Sequence, residues 1–291
     1  MAASGAQTRE MRPWILLSPA LTAITLLLAI PTCFVVVYSF WLRTAAGAEQ
    51  VGFYLDNWIE VLSDPFFRDV LLYTLKVGAI TTVCCALMGY PAAYFIAFSQ
   101  MRNKAFLLLL LMLPFWISYI IRTMSWINIL GVSGAVNYML QSLGLVSEPL
   151  QMLYNEATVI LGLIHFLLPF MVLNIYVSLE GIDPNMTAAA RSLGSTPFQA
   201  FREVTLPLSL PGLAAGSLLC FVLGSGTYIT PIVLGGPGDG MFANLIYDAI
   251  ITQLNWPLGS ALSIVLLVVL GSVVMLYNRY LSLGQISKGL G

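Results

Sequence analysis

Residue types that carry most enzyme chemistry are rare in this chain and are not clustered. None of the lysines, Lys76, Lys104 and Lys288, follows a glycine, so there is no Gly-Lys-Ser/Thr loop to cradle the phosphates of ATP. His165 is the only histidine. Its apolar surroundings favour packing over a general base, and a histidine-rich metal site is excluded. The cysteines lie in apolar stretches without metal or redox spacing: Cys33, Cys84, Cys85 and Cys220. The sequence therefore predicts no catalysis and no cofactor in this chain.

Aromatic side chains and one arginine are the groups through which the apolar segments could meet a polar solute. Tyr94, Tyr119, Trp126 and Tyr228 offer faces that attract organic cations by about 0.5–2 kcal/mol each. Packing is the alternative role for aromatic residues this frequent. Arg122 either extends to the membrane surface, pairs with an acid at a subunit contact, or lies beside a solute path.

The elements that must position these residues are long apolar blocks. The chain is 59% hydrophobic and 9% charged, whereas soluble domains carry about 25% charged residues. Each block holds about 20 or more residues, enough to cross about 30 Å of hydrocarbon as a helix. The sequence predicts an all-α membrane protein, a single transmembrane domain over residues 1–291 with six transmembrane helices. The predicted spans are 14–40, 71–98, 105–129, 157–179, 208–234 and 258–281.

Glycine and proline weaken the fifth predicted span near its outer end. The residues concerned are Gly224, Gly226, Pro231, Gly235 and Gly236. Irregular backbone at membrane depth is tolerated only where protein or a water-filled cavity surrounds it. We therefore expect the stretch from Gly226 to Pro231, including Thr227, Tyr228 and Thr230, to line the solute path.

The positive charges predict the orientation. The loops of one side hold only Arg43 and Arg68 as basic residues, among nine acids. Because basic residues stay on the cytoplasmic side, both termini are expected in the cytoplasm. The basic residues assigned to that side are Arg9, Arg12, Arg102, Lys104, Arg191, Arg202, Arg279 and Lys288.

The inner loop between the fourth and fifth spans, residues 180–207, has the clearest local signals. Asp183-Pro184 is typical of a helix start, and Gly194 of a helix end with a left-handed residue. Thr196 and Gln199 have capping-box spacing. The pattern predicts two short helices with a glycine corner. Such a loop is either an amphipathic surface element or a docking element for a partner.

The same loop resembles the EAA loop of binding-protein-dependent ABC permeases. The matching residues are Ala188-Ala189-Ala190-Arg191-Ser192-Leu193-Gly194, then Leu206-Pro207 and Pro211-Gly212. The resemblance implies a type I ABC importer permease fold, with a cytoplasmic coupling helix that sits in a cleft of the ATPase. Ala188 stands where the family usually has glutamate. The coupling residues that the resemblance implies are Ala188, Ala189, Ala190, Arg191, Leu193, Gly194 and Pro207.

Further stretches resemble the spermidine/putrescine branch of this family. They are Leu113–Ser118 with Ile121-Arg122-Thr123 and Trp126, Gly89-Tyr90-Pro91 with Tyr94, Leu168-Pro169-Phe170, Thr230-Pro231 with Leu234–Pro237, and Asn255–Gly259. The branch implies a polyamine as solute. Thr227 departs from it, because several polyamine members carry an acid there. Another small cationic or zwitterionic solute, opine- or amino-acid-like, is the alternative.

The resemblance also implies the partners. They are a dimer of ATP-binding subunits that holds ATP and Mg²⁺, a second and non-identical permease, an extracytoplasmic solute-binding protein and the lipid of a bacterial inner membrane; no nucleic acid is expected. An ion-driven secondary transporter is the first rival, but no Asp or Glu lies near the centre of a predicted span. A membrane enzyme is the second, and it would need a cluster of catalytic groups.

The predicted orientation can be tested by thiol labelling. A cysteine replacing Ser195 should react with a membrane-impermeant maleimide only from the cytoplasmic side, and one replacing Asp239 only from outside. The unsubstituted chain is the control, because its own cysteines lie in apolar stretches. The opposite labelling pattern would contradict both the orientation and the coupling assignment.

Overall fold

A computed structural model describes residues 7–44, 47–99 and 103–288, with side chains from 17 to 279. Arg102 and the side chains of Arg9, Arg12 and Lys288, all used for the predicted orientation, lie outside the described residues. The helices and strands are α1 Gln7–Tyr38, β1 Leu42–Arg43, β2 Glu49–Gln50, α2 Asp56–Ser63, α3 Pro65–Phe98, α4 Lys104–Met112, α5 Tyr119–Leu130, α6 Ala135–Ser142, α7 Glu156–Glu180, α8 Pro184–Ser192, α9 Pro197–Ala200, α10 Leu206–Ser225, α11 Ile229–Leu234, α12 Phe242–Tyr247 and α13 Trp256–Lys288.

The described helices confirm the predicted all-α membrane protein. Five are long and apolar enough to cross a membrane, and a sixth span results if a bent pair of helices counts as one. The five spanning segments are Leu17–Tyr38, Pro65–Phe98, Glu156–Glu180, Pro197–Ser225 and Trp256–Arg279. A short helix, α2, precedes the second spanning segment.

The third span differs from the continuous helix predicted over residues 105–129. It is bent by 89° between Trp116 and Tyr119. A 3₁₀ turn, Leu113–Trp116, follows α4, and Ile117 has an extended backbone with ψ of 137°. Pro114, which has no N–H for the α-helical ladder, lies inside this 3₁₀ turn.

The fifth span also differs from its predicted bounds, 208–234. A helical run begins at Pro197, passes through a π-helical turn at Phe201–Thr205 and ends at Ser225. A separate helix, α11, follows after residues 226–228. The glycine-rich stretch therefore breaks the span instead of only weakening it.

The chain divides into two compact units by its contacts. The first contains residues up to 64 and residues 246–267, and the second contains residues 65–245 and those from 268 onward. In the first unit, Asn57 in α2 donates from Nδ2 to the carbonyl oxygens of Ser39 (3.2 Å) and Trp41 (2.8 Å). These bonds tie α2 to the turn that follows α1, because they satisfy two carbonyls that lie beyond the end of that helix.

The second unit is built around α3, α7 and α10, and small residues let these helices approach closely. The fully buried side chains of Leu163, Leu167 and Met171 in α7 form its centre. A Cβ on Gly212 of α10 would lie 2.4 Å from the carbonyl oxygen of Asn174. Close helix packing of this kind replaces the hydrophobic driving force that lipid cannot supply.

A matched pair of glycine variants tests this packing. Gly212→Ala should lower the free energy of unfolding by about 1–3 kcal/mol, because the backbone oxygen of Asn174 cannot move aside. Gly271→Ala in α13, where a Cβ meets nothing within 4 Å, should leave it unchanged or raise it by up to about 1 kcal/mol. Thermal unfolding in detergent measures both; equal effects would contradict the close crossing.

Candidate functional site

The EAA-like loop, residues 180–207, has the local geometry predicted from its sequence. The Oδ1 of Asp183 accepts the N–H of Asn185 at 2.9 Å and caps α8. Gly194 has a φ of +95°. Its N–H donates to the oxygen of Arg191 (3.0 Å), and that of Ser195 donates to the oxygen of Ala190 (3.1 Å). This is the Schellman arrangement, in which a left-handed residue ends a helix.

The second short helix of the loop begins with a complete capping box. The Oγ1 of Thr196 accepts the N–H of Gln199 at 3.3 Å, while the Oε1 of Gln199 accepts the N–H of Thr196 at 2.8 Å. Both caps are local, so the loop is shaped by its own sequence before any partner binds.

The tip of the EAA-like loop presents apolar side chains. Leu193 is 89% exposed, Phe198 69% and Met186 51%. Ala188, Ala189 and Arg191 are also exposed, and Ala190 and Pro207 are half-buried. Apolar side chains gathered at the end of a loop favour a protein-binding surface. This exposed group is the part of the structure suited to docking on a partner.

The loop is joined to the spans through Phe201. Its ring contacts those of Tyr90 (5.8 Å between centroids) and Tyr94 (5.6 Å), both on α3. The hydroxyl of Tyr90 also bonds to that of Ser209 in α10 at 2.7 Å. The structure therefore places Tyr94 beside the loop and not with the other residues predicted to line the solute path.

A cluster of hydroxyl groups lies where the fifth span breaks. The hydroxyl of Tyr119 bonds to Thr227 Oγ1 at 3.1 Å and also to Thr230 Oγ1. Thr230 is fully buried. Tyr228 is 38% exposed, and its carbonyl oxygen accepts from Asn244 Nδ2 at 2.8 Å. The two broken spans meet at this cluster, because Tyr119 begins α5 and the threonines flank the start of α11.

The guanidinium of Arg122 lies among aromatic rings. Its central carbon is 5.3 Å from the ring centroids of Phe115 and Phe166 and 5.7 Å from that of Tyr119. Its Nη1 donates to the carbonyl oxygen of Pro114 at 3.0 Å. None of these described partners is a carboxylate. An apolar membrane position costs a charged side chain about 2.5–3.5 kcal/mol, which three cation–π contacts of about 0.5–2 kcal/mol each offset.

Trp126 lies one helical turn after Arg122 and is paired with His165. The indole Nε1 donates to His165 Nδ1 at 3.2 Å, with the rings edge to face at 5.6 Å. A ring nitrogen that accepts a hydrogen bond is unprotonated. The bond orients the ring of His165 against Trp126.

Phe115 and Phe166 contact Arg122 but were not predicted as site residues from the sequence. Phe115 stood in the apolar motif of the third span, and Phe166 stands four residues before Phe170 on α7. The i, i+4 spacing of Phe166 and Phe170 was the available signal, because it puts two rings on one helix face. The spacing does not indicate that Arg122, on another helix, contacts Phe166.

At the other end of α3, polar contacts hold the connection from α11 to α12. Tyr73 donates its hydroxyl to Asp239 Oδ1 at 3.2 Å, and Asp239 Oδ2 accepts the N–H of Gly236 at 2.8 Å. An open groove of about 690 Å³ lies beside this connection, between Tyr154 and Asn244. Gly238 is exposed with free space for a Cβ, so a labelling cysteine there leaves the contacts of Asp239 intact.

Metal ligands do not gather in the described part of the chain, where no group of three His, Cys, Asp or Glu residues could hold an ion.

The chain is similar to curated permeases and to solved transporter structures. No protein-family model matches the chain. The spermidine/putrescine transport system permease protein PotB of Escherichia coli (strain K12) is 34% identical over 256 residues, covering 88% of this chain and 93% of that protein. The inner membrane ABC transporter permease protein YdcU of the same strain is 32% identical over 235 residues, covering 76% and 74%.

The similar fold is that of a solved transporter. A chain from a bacterial ABC transporter involved in the import of the acidic polysaccharide alginate superposes with a TM-score of 0.76, covering 94% of this chain and 96% of that one at 19% sequence identity. The likeness confirms the predicted importer permease fold.

Substitution at Gly194 tests the role of the EAA-like loop. Gly194→Val puts a β-branched residue at a φ of +95°, which costs about 1–2 kcal/mol and tilts α8. We expect normal membrane abundance with loss of the ATPase partner or of coupled uptake. Gly194→Asn is the matched control, because asparagine tolerates the left-handed conformation. Normal abundance with normal coupled uptake in the valine variant would rule out a coupling role.

Proposed function

This chain belongs to the permease subunits of ABC transporters, and we propose that the solute it carries is a polyamine of the spermidine or putrescine type. It is a multi-pass inner membrane protein and the permease of a binding-protein-dependent importer, in which a separate subunit hydrolyses ATP. The observation that carries the proposed solute is the 34% identity to PotB over 88% of the chain.

The chemistry at the two broken spans supports a cationic solute. The helix α10 ends at Ser225, just before the hydroxyl cluster of Tyr119, Thr227 and Thr230. The carbonyl end of a helix carries partial negative charge, and unwound backbone at such breaks coordinates cations in other transporters. The hydroxyls add neutral acceptors. An ammonium group can pass here without being held as tightly as by a carboxylate.

We further infer the path residues and the direction of coupling. The solute path is lined by Tyr119, Trp126, Gly226, Thr227, Tyr228 and Thr230. Tyr94 acts instead at the contact between α3 and Phe201. The exposed tip of the EAA-like loop docks on the ATPase from the cytoplasm, with both termini on that side. ATP-driven closure of the ATPase dimer then shifts the spans between inward- and outward-facing states.

One observation favours a second solute class. Thr227 occupies the position between Gly226 and Tyr228 where several polyamine permeases carry an acid. A site without that acid suits a zwitterion, such as an opine or an amino acid, because no carboxylate opposes the negative group of the solute. A second, non-identical permease and the binding protein complete the proposed assembly in either case.

Reconstitution distinguishes these solutes. In proteoliposomes, we expect the full complex to take up labelled spermidine or putrescine, and ATP hydrolysis to rise when the binding protein is loaded. The complex with Gly194→Val is the uncoupled control, and the isolated chain should hydrolyse no ATP. Uptake of opines or amino acids with no uptake of either polyamine would contradict the proposed solute while leaving the permease assignment in place.

A further inference from the structure

The aromatic cage formed by Phe115, Tyr119 and Phe166 holds a cation that belongs to the chain itself. Its three ring centroids lie within 5.3–5.7 Å of the guanidinium carbon of Arg122. Arg122 is 7% exposed. We propose that this cage is a binding site for organic cations, and that Arg122 is its resident occupant in the described state.

The make-up of the cage favours a ligand site over a structural ion pair. Aromatic faces attract a guanidinium and an alkylammonium through the same ring quadrupole, so the rings do not distinguish Arg122 from an amine. Neither the rings nor the carbonyl oxygen of Pro114 carries a net charge. A carboxylate would hold the arginine permanently, whereas neutral partners let a second cation exchange with it.

The position of the cage connects it to the hydroxyl cluster. Tyr119 belongs to both, since its ring faces Arg122 and its hydroxyl bonds to Thr227 and Thr230. A cation that leaves the hydroxyls therefore has the cage as its neighbouring site. This step rests on the proposed function, because it requires a cationic solute on the path.

A tethered occupant lowers the affinity of the cage for free cations. The side chain of Arg122 tethers the guanidinium next to the cage, so its effective concentration there is in the millimolar range or above. An added cation therefore binds only in the fraction of molecules whose cage is free. Arg122 thereby keeps the site weak, so that a transported amine is not trapped.

Replacement of the resident cation tests this inference. Arg122→Gln keeps an N–H donor for the oxygen of Pro114 and removes the charge. We expect labelled spermidine to bind the Arg122→Gln complex, in lipid nanodiscs without binding protein, at least about tenfold more tightly than the wild type. Arg122→Lys should remain within about threefold of the wild type, because it retains a cation.

The rings and the solute are tested separately. In the Arg122→Gln background, Phe166→Leu should abolish the gain in affinity, since it removes one face of the cage. Ethylguanidinium, a fragment of the arginine side chain, serves as a probe that is independent of the transported solute. A gain for ethylguanidinium without one for spermidine would support the cage and contradict the polyamine. No gain for either cation in a folded Arg122→Gln complex would overturn the inference, as would an equal gain with Phe166→Leu present.

Discussion

The need to satisfy every backbone polar group within hydrocarbon is the constraint on which this structure depends. It makes the spans continuous helices wherever lipid surrounds them, and it allows a break only where the protein itself supplies partners. Two spans are broken in the second unit, at Ile117–Ser118 and at Gly226–Tyr228. At the first break, the guanidinium of Arg122 donates a hydrogen bond to the carbonyl oxygen of Pro114. At the second, the side-chain amide of Asn244 donates one to the carbonyl oxygen of Tyr228.

The two breaks meet at Tyr119, and this brings polar groups together at one spot between the helices of the second unit. The ring of Tyr119 faces the guanidinium of Arg122, which has no carboxylate among its described contacts. The hydroxyl of Tyr119 points to Thr227 and Thr230, next to the end of α10. Such a spot costs stability, because buried polar groups are favourable only when paired. The polar spot is compatible with the polyamine solute proposed above.

The proposed coupling depends on contacts that join the EAA-like loop to the spans. The corner of this loop is fixed by a positive φ at Gly194 and its second helix by a capping box. Phe201 joins the loop to α3 through its contacts with the rings of Tyr90 and Tyr94. The close crossing of α10 and α7 at Gly212 leaves the fifth span little room to deform at that point.

The sequence by itself determined the membrane class, the number of spans when the bent pair counts as one, and the geometry of the EAA-like loop. Hydropathy and caps depend on neighbours within a few residues, so they can be read along the chain. Only the tertiary structure decided that the third span bends by 89°, that Tyr94 lies beside Phe201, and that Phe166 faces Arg122 from 44 positions away in the chain. These contacts depend on how the helices cross, and crossing is set by side-chain fit between distant segments, which no local pattern of residues encodes.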